Sequence, residues 1–341
     1  MTHRVAAGRT LKRMAVGAAY FGNRIPRHVA EDMRDLAERG FTGVLHTFSE
    51  NDLAHYPGTI RRIVEVSRET RLEVQLSPWG VGGIFGGEAE TAFTARHPEA
   101  SQVLSTGRPI AAACPNQPAF REFVRGWAER AVATGAERVF WDEPHWPPPR
   151  RYGAPSWAWT CRCDHCRTGF EERYGKPMPQ DPTPEAEEFR RSSLVGFLGE
   201  MLGHVASRGG RSTVCLIPPT DTGDPPPEWK EVAGLEGLDT LATDPYWERF
   251  GRPVDPWVGH WSQAVRDLAE RNGARGQVWI QAFGIGPERA EEVRAAVRAA
   301  RDTGVDDLWA WGYEACGHMD GLGTRDPDRV WAVVAEALTR P

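Results

Sequence analysis

Four acidic residues stand where apolar runs break off. Val139-Phe140-Trp141 leads into Asp142-Glu143-Pro144-His145-Trp146, Thr243 precedes Asp244-Pro245-Tyr246-Trp247, and Trp311-Gly312-Tyr313 precedes Glu314. An ionised carboxylate buried without a partner is costly, so a core strand should end where such residues begin. Two carboxyl groups placed across one bond are what glycoside cleavage needs, about 5–5.5 Å apart for retention and about 6.5–9.5 Å for inversion. Neighbouring strand residues point to opposite faces, so Asp142 and Glu143 share a cleft only if the strand turns, which Pro144 permits. The expectation is Glu143 as acid/base, Asp142 as its support, and Asp244 or Glu314 as the second carboxyl. The bland alternatives are a turn or cap role for Asp244 before its proline and an ion pair for Glu314.

The sequence holds 14 Trp, many near strand ends. Flat amphipathic rings on a concave face suit sugars, which makes Trp79, Trp247, Trp311 and Tyr313 candidate platforms. Core packing is the rival for Trp311, two positions from Trp309 on the same strand face. His46 and His145, at the ends of the second and fourth strands, are candidates for binding substrate hydroxyls. A lone His, however, is more often a satisfied hydrogen-bonding residue.

Cys161-x-Cys163-x-x-Cys166 and the distant Cys114 form a second constellation. Four thiolates close a tetrahedral zinc site with no open position, so the metal would be structural, with His165 as a substitute ligand. Cys215 and Cys316 are expected to pack in strands five and eight. Clustered Cys in a chain of this length point to a metal and a reducing compartment rather than a disulfide framework.

The elements that must position these groups are marked by one recurring device. Helical patterns close on Gly40, Gly135, Gly237 and Gly304, and an apolar run starts within a few residues of each. Glycine tolerates the left-handed conformation that ends a helix, so each is a helix-to-strand junction. Strands are expected near 14–20, 41–47, 72–78, 138–143, 212–218, 239–244, 277–282 and 307–312. Between them Val29, Met33 and Leu36, then Phe120, Val124, Trp127 and Ala131, then Val293, Val297 and Ala300 form apolar helix faces. Eight alternating units imply a (β/α)8 TIM barrel, an α/β fold, spanning 1–341 as one domain. Residues 77–115 and 147–184 read as long loops after strands three and four, the second a zinc-stabilised insertion. No Gly-x-Gly-x-x-Gly follows the first strand, which removes the main support for a dinucleotide fold.

The pattern Cys114-Pro115-Asn116-x-x-x-Phe120-Arg121, a Glu ending strand four, and Cys-x-Cys-x-x-Cys leading to Phe170-x-x-x-Tyr174-Gly175 resembles the family 42 β-galactosidases of the clan A barrel glycosidases. The match covers roughly residues 110–175. The resemblance implies zinc on the four cysteines and Glu143 as general acid/base. Asp142 stands where that family has Asn, and Gln281 falls near the end of strand seven where its nucleophilic Glu is expected, leaving Gln281 a substrate-binding candidate. A second assignment therefore stays open, similar to α-glycosidases with paired aspartates, in which Asp142 attacks and Asp244 is the acid.

A formal charge of -6 with scattered Lys and Arg argues against nucleic acid as partner. No apolar run reaches the ~18 residues of a membrane span. Arg9, Lys12 and Arg13 before an apolar stretch imitate a signal peptide, but the stretch fits a first strand better. The expectation is a cytoplasmic glycosidase with structural zinc, a small glycoside or oligosaccharide as substrate, and room for a homo-oligomer. The alternatives are a carbohydrate-binding barrel that lost its nucleophile and a proton-transfer enzyme using Glu143 with His145.

Overall fold

The computed structural model describes residues 15–340; Arg9, Lys12 and Arg13 lie outside them. Strands β1 (Ala15–Tyr20), β2 (Gly43–Thr47), β3 (Glu73–Ser77), β4 (Arg138–Trp141), β5 (Arg211–Leu216), β6 (Leu238–Thr243), β7 (Arg275–Gln281) and β8 (Asp307–Trp311) pair in chain order, and β1 pairs with β8 to close the sheet. All eight pairings are parallel. The main helices that follow them are α1 (Pro26–Glu38), α2 (Pro57–Glu69), α3 (Pro118–Ala133), α4 (Pro184–Ser207), α5 (Pro227–Ala233), α6 (Val254–Arg271), α7 (Glu291–Asp302) and α8 (Pro327–Thr339). The chain is a (β/α)8 barrel.

The helices form where expected for the expected reason. Val29, Met33 and Leu36 of α1 and Val293, Val297 and Ala300 of α7 are buried against the barrel. Gly40, Gly135, Gly237 and Gly304 all take positive φ, which L side chains avoid. Gly40, Gly135 and Gly304 directly follow the caps of their helices, whereas the helix before Gly237 already ends at Ala233 with Gly234 as its cap, and Gly237 turns the chain into β6.

Inward positions follow the two-residue strand period. Arg138 and Phe140 on β4, Gln277, Trp279 and Gln281 on β7, and Asp307, Trp309 and Trp311 on β8 form rows that climb from the N-terminal to the C-terminal end of the barrel. A Cβ on Gly17 or Gly43 would fall 2.3 or 2.6 Å from the Trp309 ring, so the indole fills space that only glycines on β1 and β2 leave free. Below it Arg138 pairs with Glu73 and Asp239, and Asp307 accepts from Trp309 Nε1 at 2.6 Å and Gln277 Nε2 at 3.3 Å.

Burial pushes the Asp307 carboxyl up to about 7, against the lowering effect of those hydrogen bonds. Between pH ~4 and ~7 the unfolded chain has then released a proton that the folded chain still holds, so this residue makes stability fall as pH rises through that window. At about 1.4 kcal/mol per pH unit the effect reaches on the order of 4 kcal/mol. Asp307→Asn, which keeps the accepting oxygen, is expected to leave stability unchanged near pH 4 and raise it near pH 8. Denaturant titrations at the two pH values measure this, and equal differences at both would contradict it.

The two long loops carry more structure than their composition announces. Within 77–115 lies a hairpin, Ser101–Val103 with Pro109–Ala113. The cysteine-bearing loop holds a helix, Asp164–Tyr174, with Cys163 at its N-terminal cap and Cys166 inside it. Cys316 is not in β8 but in the turn after it, Tyr313–Cys316, although it is buried as expected.

Candidate active site and cysteine centre

Asp142, Glu143 and Asp244 meet at the C-terminal end of the barrel, the end at which barrel enzymes place their chemistry. Asp142 continues the inward row of Arg138 and Phe140. Glu143 by strand alternation would point outward, but its φ of 39° is left-handed, and its carboxylate comes round beside Asp142. Both can be located from Gly86 in the loop after β3: a Cβ there would fall 2.8 Å from Asp142 Oδ2 and 3.3 Å from Glu143 Oε2. The Gly86 N–H donates to the Asp142 carbonyl at 2.9 Å, which holds the glycine-rich loop over the pair.

Asp244 lies across the mouth, 2% exposed, in hydrogen-bond contact with Glu143 and with its Oδ1 unpartnered. Burial, then the Glu143 charge, pushes its carboxyl well above the usual range. Burial does the same to Asp142, reinforced by Glu143 and Glu88. Cys215, inward on β5, touches Asp244 and has its thiol pushed up, chiefly by burial. No donor among the described residues reaches the Asp142 carboxyl.

Gly86→Ala tests this packing. The added methyl would force both carboxylates to shift, so activity is expected to fall while the melting temperature stays near that of the parent; unchanged kinetics would show that the loop does not constrain the pair.

The remaining candidates divide. Trp79 is half-buried beside the mouth, with Nε1 donating to Glu88 Oε2 at 3.2 Å and its ring 5.6 Å from that of Phe21. Trp311 is almost buried, stacked on Phe21 at 5.6 Å, and so is chiefly floor. Tyr313 and Glu314 line a cleft of about 550 Å³ with Tyr20, Phe21, Asp32 and Trp79. Glu314 sits there among Asp32, Asp35 and Asp328, and not with the three central carboxyls. His145 hydrogen-bonds through Nδ1 to the Glu143 carbonyl at 2.6 Å, and lines a separate cleft of about 340 Å³.

Three assignments are corrected. Trp247 is fully buried in the outer layer with Nε1 on Glu292, so no ring face is open to a ligand. His46 points outward from β2 to Ser67 Oγ at 2.8 Å, and burial lowers it to about 3, which makes it a neutral core residue. Gln281 faces the mouth, but its Oε1 accepts from the backbone of Glu248 and Arg249 and its Nε2 donates to the Phe283 carbonyl, so it clasps the loop after β6. Glu88, on the loop after β3, is a carboxylate that sequence reasoning missed. It carries no strand or spacing signal; only the fold brings it near Asp142.

Cys114, Cys161, Cys163 and Cys166 are all buried, with sulfurs within 4.8 Å of one another. Cys114 Sγ lies 3.4 Å from Cys166 Sγ and 3.6 Å from Cys163 Sγ. A tetrahedron with metal–sulfur bonds of about 2.3 Å has edges of about 3.8 Å, so the thiols fit a four-sulfur metal site. Donors surround them: Val103 N–H to Cys161 Sγ at 3.4 Å and Asn116 Nδ2 to Cys166 Sγ at 3.3 Å. Trp159, Phe170, Met178 and Phe189 wrap the cluster in a small apolar core of its own. His165 is exposed and outside it.

No family model and no curated protein matches the sequence. Among solved structures, the endo-1,4-β-mannanase of Rhizomucor miehei aligns over 98% of this chain and 97% of its own, with TM-score 0.60 and 10% identity. GH5_18 from Streptomyces cattleya, solved with Manb1-4GlcNAc, aligns over 96% and 81% at TM-score 0.58 and 14% identity. The 3-keto-D-glucoside 4-epimerase of E. coli aligns over 96% and 98% at TM-score 0.50 and 12% identity. The likeness is one of fold. Among the described residues no helix is long and apolar enough to cross a membrane.

Proposed function

We propose that the protein is a glycoside hydrolase with Glu143 as its acid/base. The observation that carries this is the convergence of Asp142, Glu143 and Asp244 at the barrel mouth beside Trp79, where the backbone turn at Glu143 brings two consecutive carboxylates into one site. Asp244, buried with its carboxyl pushed above the usual carboxylate range, lies against the Glu143 carboxyl and holds it in place. A sugar-cleaving mannanase among the structural neighbours supports the reading.

We further propose that the four cysteines hold a structural zinc that ties the insertion after β4 to the loop after β3. None of the six cysteines is joined in a disulfide, which suits a reducing compartment.

Turnover of a panel of 4-nitrophenyl glycosides and of β-1,4-linked manno-oligosaccharides tests the activity. Asp244→Asn is expected to cut kcat less than the loss of Glu143 and to shift the pH profile, because the buried carboxyl pushed above the usual range is replaced by an amide that does not titrate. Full activity in Asp244→Asn with an unmoved profile would remove it from the site. Sugar binding with no turnover in the parent would favour a binding barrel, the reading to which Gln281 in place of a nucleophile lends weight.

A further inference from the structure

The proposed acid/base lacks the partner that ordinary glycoside cleavage needs. Two carboxyls must stand about 5–9.5 Å apart to flank a bond. Glu143 and Asp244 are in contact, not spread across a bond. Asp142 precedes Glu143 on the same strand end and lies on the same side. At the end of β7 the Gln281 amide is tied at both ends to backbone and cannot attack carbon.

We infer that the attacking group belongs to the substrate: the carbonyl oxygen of a 2-acetamido substituent, which makes β-N-acetylhexosaminides the substrate class. This rests on the glycosidase reading above. Substrate-assisted cleavage is one of the known departures from the two-carboxylate scheme. It requires an acid for the leaving oxygen and, next to it, an acceptor for the amide N–H. Glu143 and Asp142 are consecutive and converge on the same point under Gly86. The Asp142 carboxyl is nearly buried, yet no donor among the described residues reaches it. A buried acceptor without a donor is stabilised by a ligand that brings one. Phe140, Trp279 and Trp311 form part of the buried apolar layer inside the barrel.

The acetamido oxygen forms a bond to C1 as the C1–O bond to the leaving group breaks, and Glu143 gives its proton to the departing oxygen. Asp142 accepts the N–H of the resulting cyclic oxazolinium on its carboxyl oxygen. Water then attacks C1 from the face the leaving group occupied, Glu143 takes a proton from it, and the C1–oxygen bond of the ring reopens to the acetamido group. Configuration is retained.

The test uses the full chain with 4-nitrophenyl N-acetyl-β-D-glucosaminide and galactosaminide beside the corresponding glucoside, galactoside and mannoside. It adds N-fluoro-, difluoro- and trifluoroacetyl analogues, whose carbonyls are progressively weaker nucleophiles. Expected are turnover of the N-acetyl substrates, a monotonic fall in kcat along the fluorinated series, and a roughly 10²–10³-fold loss of kcat in Asp142→Asn, with thermal unfolding showing that the variant is folded. Faster turnover of the 2-hydroxy glycosides, or a flat fluorinated series with a loss of 100-fold or more in Glu88→Gln, would overturn the inference while leaving the glycosidase reading intact. Turnover of no glycoside would overturn both.

Discussion

Glu143→Gln is expected to lower kcat by roughly 10²–10⁴-fold, the usual contribution of a positioned general acid/base, with little change in stability. The amide keeps the shape and the contact to Asp244 but has no proton to give a leaving oxygen. Substrates with good leaving groups, such as dinitrophenyl glycosides, need less protonation and should lose less in the first step. That dependence separates loss of an acid from distortion of the site: distortion would slow all substrates alike. Removing the charge should also let Asp244 and Asp142 ionise more readily, since the Glu143 charge helps raise both.

The second large effect concerns the cysteine centre. Cys163→Ser is expected to abolish binding of about one zinc per chain and to lower the melting temperature by on the order of 10 °C or more, since structural zinc contributes its binding free energy to folding. The loss should begin locally. The insertion's apolar core of Trp159, Phe170, Met178 and Phe189 is built around the thiols, so limited proteolysis should cut within 147–184 before the barrel unfolds. Metal analysis of the parent and of the variant checks it, and a parent that is metal-free and equally stable would contradict it.

Much of the barrel was legible in the sequence because its signals are local. An apolar run, a helical face and a closing glycine recur within each unit, and the strands fall within a few residues of the expected positions. The site was legible only where one rule sufficed. Asp142 and Asp244 stand at strand ends and do reach the mouth, but Glu143 reaches it through a left-handed turn that no residue type announces. His46 could have been excluded by strand alternation, since Leu45 occupies the inward position on β2. Trp247 looked like a platform because it follows a strand end; its burial depends on the helices packed outside β6 and β7, which the sequence does not place. Glu88 and the second role of Gly86 depend on where a long loop lands, information carried by tertiary contacts alone.

The central claim is that Glu143 protonates a glycosidic oxygen at this mouth. A crystal structure of the Glu143→Gln variant with an intact N-acetylhexosaminide tests it most directly. The glycosidic oxygen is expected within about 3 Å of the substituted side chain, with the acetamido N–H on Asp142. A sugar bound elsewhere, in the Tyr20 and Trp79 cleft with no atom near residue 143, would contradict it.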